Sequence, residues 1–277
     1  MNKRIFMAAS LSFFLSFFLF LPALAMAEEM TADVSSSAAR GHILKVDGDV
    51  EVINARGEVR KANEPRLIVR EMDTIVTRKG GKAVVQFTDG AFSVLDEKSS
   101  LRIEKTSWIS HLGGKIYFTF RKVFGKPQRV GSSFATIGIR GTTFIVYDDE
   151  DNTGVALQEG QLELESPGEA YEIHKQKVID DFEAFRQQAR DGQIALEDEY
   201  NNYKKKTMRE FVEYKKSFML ESGRVVRFDD NRVDETEMGA EVRAEFDDFE
   251  AIAGEMLLEF RQQSKQHRKQ QVIDRDL

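Results

Sequence analysis

Ala83-Val84-Val85-Gln86-Phe87-Thr88-Asp89-Gly90-Ala91-Phe92-Ser93-Val94-Leu95 is two short apolar runs joined through Asp89-Gly90. Gly accepts the positive φ a hairpin turn requires, so the stretch reads as paired antiparallel strands. A second hairpin follows the same rule. Thr142-Thr143-Phe144-Ile145-Val146-Tyr147 and Val155-Ala156-Leu157 flank the acidic turn from Asp148 to Asn152. Val50-Glu51-Val52-Ile53, Leu101-Arg102-Ile103 and the run from Lys115 to Phe120 add further strands between Gly and Asp punctuation. Brief β-branched and aromatic runs at this spacing predict a mainly antiparallel β unit over 41–166, closed by Ser166-Pro167-Gly168.

After that boundary the period changes. Val178, Phe182, Phe185 and Ala189 step by helical intervals, and Leu196, Tyr200, Tyr203, Phe211, Tyr214 and Phe218 share one stripe beyond Asp191-Gly192. This predicts an αα-hairpin over 167–218, inserted before a returning β segment at 219–234. A last amphipathic helix is expected at 240–261, with Phe246, Phe249, Ala253, Leu257 and Phe260 on one face, and a polar tail over 262–277. The fold class is therefore α+β: a mainly antiparallel β unit carrying an inserted αα-hairpin and a C-terminal amphipathic helix.

At the other end, Lys3 and Arg4 precede an apolar run from Ile5 to Leu21, broken by Pro22 and followed by Ala25-Met26-Ala27. This is the pattern of a secretory signal peptide over 1–27, with an uncleaved anchor as the competing reading, and 28–40 reads as a linker. The mature chain is expected in the periplasm, its membrane association limited to that leader. The 277 residues carry a formal charge of −7 and no Cys. Disulfides, thiolate metal sites and a cysteine nucleophile are excluded, and the acidity argues against nucleic acid, which needs a basic face.

No catalytic, cofactor or metal constellation stands out, and the reading is a non-enzyme. His42, His111, His174 and His267 form no ligand pair at helical spacing. The acidic turn misses a calcium-loop register, because its glycine, Gly154, falls one position late. Candidate partner-binding residues are the aromatics Tyr200, Tyr203, Phe211 and Tyr214 of the helical stripe, and Trp108, the single Trp. Trp108 also supports an alternative, stacking on a glycan. Arg140, set among Ile137, Ile139, Phe144 and Val146, is the charged residue expected to be partly buried and paired with a carboxylate.

Together the β segments resemble the FecR domain, the extracytoplasmic module of iron-dicitrate-type transmembrane regulators. The residues that carry the likeness are Asp73-Thr74, the Asp89-Gly90 hairpin, Arg140-Gly141-Thr142 with Phe144, and Gly160 before Gln161-Leu162-Glu163-Leu164. The resemblance implies an antiparallel β-roll or solenoid-like form for the β unit, a structural role for these motif residues and a protein partner in the envelope. Those regulators place a sigma-factor-binding segment ahead of their spanning helix, whereas only Met1 to Arg4 precede the apolar run here. The expectation is a stand-alone secreted scaffold in a sensing or signalling assembly, without anti-sigma activity of its own.

Overall fold

The structure is a computed structural model, and it describes residues 38–273 except 65, 89, 106–107, 122–127, 151 and 176–211. Strands dominate it, with two helices at the C-terminal end. Sheet A runs from edge to edge as β4 (Leu67–Arg70), β1 (Ala39–Asp47), β6 (Lys82–Phe87), β7 (Ala91–Leu95) and the second half of β9 (Trp108–Phe120). It continues through β12 (Thr143–Asp148), β13 (Thr153–Glu159), β18 (Arg224–Asp229), β19 (Arg232–Glu237), β15 (Tyr171–Lys175) and β16 (Val212–Lys215). Sheet B runs β3 (Val59–Lys61), β2 (Val50–Ile53), β5 (Thr74–Thr77), β8 (Ser100–Ile103), the first half of β9, β10 (Gln128–Gly131), β11 (Thr136–Ile139), β14 (Gln161–Glu165) and β17 (Ser217–Glu221). Pairing is antiparallel except β9 with β10 and β15 with β19.

Strand β9 belongs to both sheets. Ile109 to Gly113 pair with β8 in sheet B, and Gly114 to Thr119 pair with β12 in sheet A. The strand changes sheet at Gly113 (φ 151°) and Gly114 (φ 83°). A Cβ on Gly114 would sit 2.5 Å from the Ser99 Cα, so no other residue fits this passage without displacing backbone. Other sheet changes also turn on a residue of positive φ, among them Gly48, Met72, Lys98, Gly141 and Gly160. This explains the glycine punctuation of the sequence, and shows that Met72 and Lys98 do the same work without its signature.

Burial sorts by strand parity. Odd positions of β7 and, in the second half of β9, even positions, such as Leu95, Ile116 and Phe118, point between the sheets and meet Val52, Ile75, Leu101, Ile137 and Leu162 of sheet B. The alternate residues Phe92, Val94, Tyr117, Ile145, Tyr147 and Val225 point to the outer face of sheet A. That face is covered by α1 (Ala240–Ala253) and α2 (Glu255–Ile273), whose Phe246, Phe249, Ala253, Leu257 and Phe260 are all buried against it. Central strands of sheet A are therefore apolar on both faces, and their sequences read as continuous runs instead of alternating ones. Each buried Phe or Leu contributes about 1.5–3 kcal/mol by removal from water.

Several expectations change. The helical reading does not hold for Tyr171–Lys175 or for Tyr214 to Phe218, which are strands. Tyr171 and Ile173 alternate inward, the ring of Tyr171 against Phe218 and Phe228, and this two-residue period was masked by the helical spacing that follows it. The rest of the expected hairpin, 176–211, lies outside the described residues. The strands on either side of it, β15 and β16, pair with each other. The C-terminal helix is two helices, parted at Gly254 (φ 53°), and the second continues through the expected polar tail to Ile273. β1 already begins at Ala39, within the expected linker. The expected leader, 1–27, also lies outside the described residues. Among the described residues no helix is long and apolar enough to cross a membrane.

Gly114→Ala is expected to destabilise the protein by about 3 kcal/mol or more, because positive φ and a backbone clash add. Gly57→Ala, also at positive φ (82°) but with nothing within 4 Å of its Cβ, should cost about 1 kcal/mol. Urea unfolding midpoints of the two variants check the contrast.

Candidate functional site

The two outer faces of the β unit are chemically unlike. On sheet A, two polar clamps reinforce the apolar contact with the helices. The Tyr147 hydroxyl donates to Glu245 Oε2 at 3.0 Å, and Lys115 Nζ lies 3.3 Å from the same oxygen. The Tyr117 hydroxyl lies 3.4 Å from Glu250 Oε1, which Arg261 holds at 2.6 Å. Tyr117 packs between Phe246 and Phe249, with ring centroids 6.1 and 5.9 Å away. Burial first, then the neighbouring carboxylates, push both phenols well above the usual tyrosine range, so they act as hydrogen-bond donors and not as acids. Beside the first clamp, a polar cleft of about 190 Å³ lies between Tyr147, Asn152, Arg227, Glu241 and Glu245. It is smaller than the clefts of about 300–1,000 Å³ that ordinarily hold drug-sized ligands.

The outer face of sheet B has no layer over it among the described residues. Register places one cross-strand row on it: Trp108 opposite Arg129, Arg129 opposite Gly138, Gly138 opposite Glu163, and Glu163 opposite Met219. The next row is Arg102, Ser110, Gly131, Thr136, Glu165 and Ser217. Gly131 and Gly138 lower the middle of the face. A Cβ on Gly131 would touch nothing within 4 Å. The result is a shallow trough, with an aromatic and basic flank on one side and the carboxylates of Glu163 and Glu165 on the other.

On the first flank the Arg129 guanidinium lies over the half-buried Trp108 ring, 5.4 Å from its centroid. Next to it, Glu104 accepts from Arg102 Nε and from the Ser110 hydroxyl, both at 2.7 Å. Burial raises the Glu104 carboxyl, but the Ser110 and Arg102 hydrogen bonds and the Arg102 charge outweigh it, leaving it below the usual carboxylate range. The Glu104 carboxylate is therefore held in its charged form beside Arg102.

Of the residues singled out in the sequence, Trp108 lies in this trough and Tyr214 stands exposed on β16, remote in strand order. Tyr200, Tyr203, Phe211 and Asp89 lie outside the described residues. Gly90 (φ 91°) ends the three-residue connection between β6 and β7, instead of a two-residue turn. Gly141 and Gly160 meet at one corner, where a Cβ on Gly160 would fall 2.6 Å from the Thr142 methyl and 2.7 Å from the Gly141 carbonyl oxygen. Thr142 and Phe144 are buried there.

Arg140 corrects an expectation: it is exposed, not partly buried. It follows the last inward residue of β11, Ile139, at the bend where Gly141 redirects the chain into sheet A, so its side chain leaves the core. Arg129 was not singled out at all; the alternation of Gln128-Arg129-Val130 beside Gly131 was its only signal. The apolar stripe of the C-terminal helix is buried against sheet A.

A family model described as FecR protein matches residues 73–163, which span β5 to β14 and include the Trp108 flank and Glu163. No curated protein matches the sequence. Two crystal structures of a protein described as a candidate anti-sigma factor, from Parabacteroides distasonis ATCC 8503, align with TM-scores of 0.40 and 0.39. Identities are 13% and 12%, and each alignment covers 61% of this chain and 61% of the other. The chain thus spans less than two thirds of their length.

Tyr147→Phe is expected to cost about 1–3 kcal/mol, since Glu245 loses a buried donor while Lys115 remains. Arg129→Ala should cost less than about 1 kcal/mol but shift the emission of Trp108, the sole Trp, as its ring gains water. Thermal melts and tryptophan fluorescence separate the two roles.

Proposed function

With a FecR-family segment occupying residues 73–163, we propose that the chain is a non-catalytic interaction protein of the periplasm, working within an envelope signalling assembly. The β unit is the frame, and the outer face of sheet B between Trp108 and Glu163 is the side it offers to a partner protein. One observation carries this reading. Both sheets have two faces, yet among the described residues the helices α1 and α2 cover only sheet A, while sheet B presents a glycine-floored trough flanked by an Arg-stacked Trp and by acidic residues. Trp and Arg are enriched where partners bind tightly, and opposite charges on the two flanks would fix the orientation of a bound segment.

A glycan-binding role for Trp108 is the second reading. It meets a specific obstacle: a sugar stacks on an aromatic face, and the Arg129 guanidinium lies over this ring. Arg129 would have to leave before a sugar could use that surface.

Site-specific photocrosslinking in cells separates these readings. Probes at Thr136 and Glu163 should give a discrete protein adduct that Arg129→Glu abolishes, while probes at Asp248 and Leu258 on the helical layer should not. Equal adducts from both faces, or none from the trough, would refute the proposed face. Retention on purified peptidoglycan that is lost in Trp108→Ala would favour the glycan reading instead.

A further inference from the structure

His111 lies two residues before the point where β9 leaves sheet B for sheet A, and it is 2% exposed. Its neighbours fix its chemistry. Nε2 is 3.1 Å from the Gly114 carbonyl oxygen, which can only accept, so the proton of the neutral ring sits on Nε2. Nδ1 is the unprotonated nitrogen, and it is buried without a hydrogen-bond partner among the described residues. Adding a proton would therefore create an N–H donor at Nδ1 in a buried site, with no acceptor among the described residues, and would place a charge in the core.

The surrounding charges do not compensate. Asp148, at the end of β12 and opposite Gly114, favours the charged ring, but its Oδ2 accepts from the Ser133 hydroxyl at 2.7 Å. Arg102, on β8, is engaged with Glu104 on the outer face of sheet B. Lys115, on β9 itself, is engaged with Glu245 on the outer face of sheet A. Burial dominates and pushes the imidazole down to about 4, against an ordinary value of 6.5.

The position gives this a structural consequence. Next to His111, Gly114 passes against Ser99, whose hydroxyl donates to the Lys115 carbonyl and accepts from the Lys115 N–H, both at 3.0 Å. The Ser99 N–H donates in turn to the Thr77 hydroxyl at 2.9 Å. These few bonds join β9 to the neighbouring corner of the fold. We propose that the crossing of β9 between the sheets is an acid-sensitive joint, held shut by uncharged His111 and opened when that ring takes a proton. The joint is a property of the fold and does not depend on which partner the outer face receives.

Above about pH 6.5 the ring is neutral in both the closed and the open joint, and closure is fully favoured. Between 6.5 and about 4 the open form alone holds the proton, so closure weakens as pH falls. Over that window the opening constant should rise by about tenfold per unit of pH.

The test is amide hydrogen exchange on the full chain, corrected for intrinsic rates, at pH 7 and pH 5. Protection at Ser99, Gly114 and Lys115 should fall by tenfold or more, while Val155 and Ala156 in the centre of sheet A change less. His111→Gln, which cannot gain the charge, should remove the difference. Should that variant not fold, a histidine titration of the unaltered chain decides the matter. One imidazole that stays neutral to pH 5 or below supports the joint; four that all titrate in the ordinary range overturn it. Uniform loss of protection across both sheets, or an undiminished difference in His111→Gln, would also overturn it.

Discussion

One strand holds this molecule together. β9 is hydrogen-bonded on both sides in sheet B at its start and on both sides in sheet A at its end, so it couples the two sheets through continuous backbone as well as through packing. Everything on either side of it extends outward from this shared element. The passage is possible only because Gly113 and Gly114 adopt dihedrals a side chain would forbid, and because Ser99 has room to bond both peptide groups of Lys115. Loosening that passage would separate the two sheets where they share atoms, which is why a buried, half-satisfied imidazole there has consequences beyond its own desolvation.

The second organising feature is the inequality of the sheets. Sheet A is the middle of a three-layer sandwich, apolar toward sheet B and apolar toward the helices, with tyrosine hydroxyls supplying the polar contacts to the helical layer. Sheet B is apolar mainly inward, and outward it carries Trp108, Leu112 and Met219 among polar and charged residues. Its outer residues satisfy one another by ion pairs such as Arg78 with Glu51 and Arg102 with Glu104, which hold a flat surface in solvent at little net energy. A surface of this kind suits contact with another macromolecule, because its polar groups are already oriented and little side-chain entropy remains to be lost.

The trough on that surface was half legible. Trp108 could be singled out as the sole Trp, between polar neighbours. Its companions come from β10, β11, β14 and β17, and only the register of these strands brings Arg129, Gly138, Glu163 and Met219 into one line. Sequence distance carries no information about such a line. The aromatic stripe that ends at Tyr214 and Phe218 shows a related effect: a helical spacing can run by chance into strands whose own period is two.

What the sequence alone determined was local. Hairpins, corners and the amphipathic character of the C-terminal segment follow from short-range chemistry: positive φ at glycine, β-branched runs and a 3.6-residue apolar period. Tertiary structure decided which face each apolar residue serves, that Arg140 leaves the core, that the helix breaks at Gly254, and that His111 is buried. These outcomes depend on what lies across a sheet or between layers, and burial is set by neighbours in space that a linear order of residues does not specify.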